Sequence, residues 1–103
     1  MNEQKWNGKK MGEWLRENAE RQGILERAIL RIDERQTADE RQAGETRHSN
    51  GIGWSGADAS VGTYMANYVR NGNALSGAWR LRAFRLAIKY RAQLADIANA
   101  KAA

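Results

Sequence analysis

Apolar residues recur at Met11, Trp14, Leu15, Ile24, Leu25, Ala28, Ile29 and Ile32, at three- and four-residue steps that place them on one face of a helix. Gly23 falls inside this pattern. It either ends a helix in a left-handed conformation or is carried within one at a cost of about 1 kcal/mol. No capping residue follows it, so the pattern favours one long, bent helical segment over 9–43. From Asp33 to Arg47 the chain is almost wholly polar, and a helix without an apolar face has no core to hold it, so this stretch is expected to fray or project into solvent. Glycines and turn formers then accumulate (Gly44, Ser49, Asn50, Gly51, Gly53, Gly56), marking a loop over 44–57. Asp58 reads as an N-cap for a second helix over 58–70. Val61, Tyr64, Met65, Tyr68 and Val69 form its stripe, and Asn71-Gly72-Asn73 its stop. Ser76 opens a third helix, predicted through Ala98, with Trp79, Ala83, Leu86, Tyr90, Leu94 and Ile97 on one strip and Leu81, Phe84 and Ile88 on another. Two strips imply burial on two sides, so this helix is expected at the centre of the fold. The prediction is one all-α domain, a long N-terminal helix packed on a C-terminal hairpin of helices 58–70 and 76–98.

Composition narrows the class. With no cysteine and no proline, disulfides and cysteine zinc sites are excluded, and the remaining residues favour helix. No window nears the roughly 18 apolar residues of a membrane span, and the N-terminus lacks a signal-peptide layout, so a cytoplasmic location is expected. Charge is divided unevenly: residues 1–50 hold ten Lys/Arg against ten Asp/Glu, residues 51–103 seven against two, so the net +5 lies in the second half. Such polarity commonly meets a polyanion or an acidic protein surface. On the third helix Arg82, Arg85, Lys89 and Gln93 fall within an arc of roughly 80°, one continuous polar ridge.

Candidate chemistry is sparse. His48 is the one histidine and stands in a Gly/Ser/Asn-rich stretch with no nucleophile motif, so neither catalysis nor a metal or other cofactor is expected. Gly51-Ile52-Gly53 ahead of a helix could let backbone N–H groups approach a phosphate, or simply bend the chain beneath Trp54. No Walker lysine follows and no strand precedes it. The ridge of Arg82, Arg85 and Lys89, with Arg80, Arg91 and Arg70 nearby, is the stronger anion site, because guanidinium groups hold phosphates in bidentate fashion. Three or four phosphates neutralised on duplex DNA would give a log–log salt slope of roughly −3 to −4. The competing reading pairs this ridge with Glu20, Glu26 and Asp33 of the first helix. Tyr64, Tyr68, Trp79 and Tyr90 lie on apolar stripes and are expected in the core, leaving Trp54 and Trp6 as the aromatics most exposed to a partner.

Asn50-Gly51-Ile52-Gly53-Trp54, Asp58, Gly62, Leu75-Ser76, Ala83, Leu86, Lys89-Tyr90 and Gln93-Leu94 together resemble a short module of bacterial and phage DNA-processing proteins, including helicase-type ATPases. The resemblance spans residues 50–94. Trp54 replaces the module's usual Phe, Trp79 its Gln, and no ATPase motor is present. What the resemblance implies is a nucleic-acid context without a catalytic residue. The expected function is therefore a small non-enzymatic accessory protein from a phage, plasmid or bacterium. It would bind DNA or RNA through Arg82, Arg85, Lys89, Arg80, Arg91 and Arg70 with Gly51, Gly53 and Trp54. The rival is a counter-defence inhibitor, for example of a CRISPR complex, that binds a host nucleic-acid-handling protein through Trp6, Trp54 or residues 33–47. A homodimer covering part of Ile24–Ile32 is a third possibility.

Overall fold

The computed structural model describes residues 5–43 and 52–102, with the backbone alone for 37–43 and 102. His48, Gly51 and the loop residues 44–50 lie outside the described residues. Among the described residues five helices follow in order: α1 (Gly8–Asn18), α2 (Ile24–Ala43), α3 (Ala59–Arg70), α4 (Gly77–Lys89) and α5 (Arg91–Ala102). Among the described residues there is no strand, and no helix is long and apolar enough to cross a membrane. The all-α expectation holds.

The N-terminal segment is two helices rather than one. Asn7 caps α1 by accepting the Lys10 N–H (2.8 Å), and Met11 and Leu15 bury its apolar face. Gly23 takes φ +85°, a left-handed value that glycine adopts without steric cost, so the chain turns there. Arg80 supports the turn from α4 by donating to the Ala19 carbonyl. Ile29, Ile32 and Leu25 are each 1% exposed on α2. Burying side chains of this size contributes about 1.5–3 kcal/mol apiece. The polar stretch after Ile32 does not fray at its start: α2 continues to Ala43, and Asp33 and Gln36 are buried.

The predicted 76–98 helix is likewise interrupted, at Tyr90, whose φ −101° and ψ 22° leave helical geometry. Tyr90 thereby turns its ring onto Trp54, edge to face at 5.2 Å. Neither glycine nor proline marks this break; the buried hydroxyl's partners hold it.

α2 packs against α3, α4 and α5, and α4 with α5 packs on both α1 and α2, so α2 shares the centre of the fold with the C-terminal segment expected there. α3 and α4 are held on α2 rather than tightly on each other, so the expected hairpin is splayed. The reason lies in α3. Its buried residues are Gly62, Met65 and Ala66, and the small ones bring its backbone close to the core. A Cβ on Gly62 would stand 2.3 Å from the Trp54 indole. That rotation turns Tyr64 and Tyr68 outward, at 55% and 38% exposed, contrary to their expected place in the core. Trp79 on α4 is also 38% exposed and Leu81 51%.

Candidate functional site

The splay leaves an open groove of about 610 Å³ between α3 and α4. Val61 and Leu86 contribute apolar surface to it, Tyr64 and Trp79 contribute rings, and Arg82, Arg85 and Lys89 bring charge along α4. The rings are contiguous: Tyr64 stands 5.2 Å from Trp79 at 34° between planes, and 6.4 Å from Tyr68 at 18°. The Arg82 guanidinium lies 5.9 Å from the Trp79 ring centre, at the outer range of a cation–π contact. Arg82 and Arg85 are exposed, and neither has an acidic partner among the described residues.

At one end of the groove Lys89 donates to Asp58 Oδ2 (2.6 Å), as does the Tyr90 hydroxyl (2.6 Å), which itself accepts the Ser55 N–H (2.8 Å). Partial burial pushes the Asp58 carboxyl upward, but the bonds from Lys89, Tyr90 and Ser55 outweigh it and hold its pKa below the ordinary aspartate value. The bond to Asp58 raises Lys89. Burial, then the bond to Asp58, raises the Tyr90 phenol. A carboxylate so satisfied is a poor proton acceptor at neutral pH; this cluster holds structure rather than moving protons. Asp58 is also not the side-chain cap expected of it, since it makes no capping bond to α3.

The other predicted cations go elsewhere. Arg70 pairs with buried Asp33 (2.9 Å), Arg80 serves the Ala19 carbonyl, and Arg91 donates to the Ile88 carbonyl (2.9 Å). Asp33 thus does bind an arginine, but not one of the ridge, while Glu26 is buried and accepts the Leu75 N–H (2.8 Å). Gln93 leaves the ridge altogether. Its side-chain amide pairs with the Gly53 backbone in both directions, accepting the N–H (2.8 Å) and donating to the carbonyl (2.9 Å).

Gly53 and Trp54 are therefore not the anion site they were expected to join. The Gly53 N–H is engaged by Gln93, and φ +75° with Gln36 closely apposed explains the glycine. Trp54 is 1% exposed, because the loop folds over α2. Its indole N–H donates to Asp33 Oδ1 (3.0 Å) and its backbone N–H to Gln36 Oε1 (2.7 Å). Trp6, half-buried, packs edge-on against Trp14 at 6.1 Å.

A second hollow of about 530 Å³ shares Lys89 with the groove and adds Lys9, Arg16 and Arg91, with Glu13 among them. Lys9 and Arg16 escaped the sequence reading because they belong to the charge-neutral half. Their seven-residue spacing, which stacks them on one face of a helix, was the available signal. Among the described residues no three of His, Asp and Glu gather as metal ligands. Compared with family models, curated proteins and solved structures, the chain matches none.

Proposed function

We propose that this is a small non-enzymatic nucleic-acid-binding protein whose contact surface is the α3–α4 groove, with Arg82 and Arg85 as its phosphate-binding groups. The observation that carries the reading is the pair of exposed guanidinium groups, unpaired with acid among the described residues, on the rim of a groove that also carries exposed rings. Arg70 and Lys89 pair with acids, and Arg80 and Arg91 bond backbone carbonyls. Arg82 and Arg85 are left to meet an external anion, bidentately if it is a phosphate. The resemblance of residues 50–94 to a module of DNA-processing proteins supports the same context.

Two phosphate contacts rather than four predict a salt slope on duplex DNA of about −2. Anisotropy titrations of labelled DNA across roughly 50 to 200 mM salt read this directly, and Arg82→Ala with Arg85→Ala should abolish the salt-dependent part. Absence of binding at the lowest salt would overturn the reading and favour the protein-directed inhibitor, for which exposed Leu81 beside Phe84 offers an apolar contact.

A further inference from the structure

We propose that the groove's ligand is single-stranded nucleic acid, with bases laid on Tyr64, Tyr68 and Trp79 and phosphates on Arg82 and Arg85. This rests on the reading above and specifies its substrate. The carrying observation is the row of rings. A protein of this size normally spends its large aromatics on the core, as it does with Trp54 and Tyr90. Three others stand at 38% to 55% exposure on two helices, with Tyr64 between Tyr68 and Trp79 and against both. Flat exposed rings bind any base through its π-face, provided the base is not already stacked in a duplex.

The arrangement also fits the covalent order of a strand. A nucleotide carries its base and its phosphate on either side of one sugar, so recognition needs ring and guanidinium side by side. α4 supplies this with Trp79 and Arg82 one turn apart, then Arg85 a turn further. Past Arg85 lies Lys89, shared with the hollow that holds Lys9 and Arg16, so a chain leaving the rings continues over cationic surface. A free mononucleotide would use one ring and one guanidinium and leave this continuation empty. The acid facing the path in the groove is Asp58, already neutralised by Lys89 at 2.6 Å; the hollow adds Glu13.

The test compares a labelled oligonucleotide of about 12 nucleotides, its duplex, and an unlabelled mononucleotide as competitor. Single strand should bind at least tenfold more tightly than duplex, with a salt slope of about −2.8 where the strand also reaches Lys9 and Arg16. Trp79→Ala should weaken the single strand about tenfold, the weight of one stacked base, and leave the duplex unchanged. Arg82→Ala with Arg85→Ala should weaken both. Quenching of tryptophan emission by the oligonucleotide in the intact protein gives an independent sign of ring contact, and Tyr68→Ala a second variant at an exposed position. Equal binding of strand and duplex with no effect of Trp79→Ala would overturn the inference while sparing nucleic-acid binding, as would full displacement by equimolar mononucleotide. Failure of both nucleic acids to bind would overturn both.

Discussion

Gly62 shows how one hydrogen atom directs the surface. With no side chain, it lets α3 settle on the Trp54 indole, and this contact sets which residues of α3 turn outward. Gly62→Ala should destabilise the fold by about 2–3 kcal/mol through overpacking, read as a lower urea midpoint at unchanged m-value. The same contact explains what the sequence conceals. Hydrophobic spacing ranks Tyr64 and Tyr68 with the core because they are large and periodic, whereas packing here follows the small residues that allow close approach. Trp54 fails in the opposite sense: it stands in a loop, yet Asp33 and Gln36 supply polar partners that make its burial tolerable. Gly53, Trp54, Asp58, Gly62, Tyr90 and Gln93, all within residues 50–94, bind one another or the core.

At the scale of elements, the Asp58 cluster ties the start of α3 to the junction of α4 and α5, and its pKa shifts fix how stability depends on pH. Asp58 is lowered in the folded state, so its contribution is present above about pH 4 and is lost as pH falls through the folded value. Lys89 and Tyr90 are raised, so theirs is present below about pH 10 and fades as pH climbs through their folded values. The difference in urea midpoint between wild type and Asp58→Asn should therefore be flat between these limits and shrink beyond both. A difference that grew on acidification would contradict the assignment. Helix existence was legible from periodicity except over the polar second half of α2, where the apolar stripe stops at Ile32 but the helix runs on to Ala43. Of the two breaks, Gly23 offered a signal by residue type that the lack of a following cap outweighed, while Tyr90 offered none, because only its tertiary bonds mark it.

For the whole molecule, charge counting locates the basic half but not which of its cations stay exposed along the groove. Among the described residues only Arg82 and Arg85 of the six expected cations face the groove without an acidic partner; Arg70, Lys89 and Arg80 are taken up by groups from distant points of the chain, and Arg91 by the nearby Ile88 carbonyl. Lys9 and Arg16 join from the neutral half by folding alone. Replacing both with Ala should weaken a long single strand several-fold and reduce its salt slope by about 1.4, with little change in a strand too short to reach them. Thermal melts should be nearly unaffected.

Trp6 and Asn99 exchange two hydrogen bonds, each 2.9 Å, across 93 positions of chain, beside the packing of α1 on α5. A ribosome delivers α1 before its partner α5. At about 5–20 residues per second, several seconds separate the two, during which Met11 and Leu15 wait without their α5 cover. The clasp can therefore close only after α5 has left the exit tunnel, so nascent chains stalled after α4 keep the apolar face of α1 open to proteases.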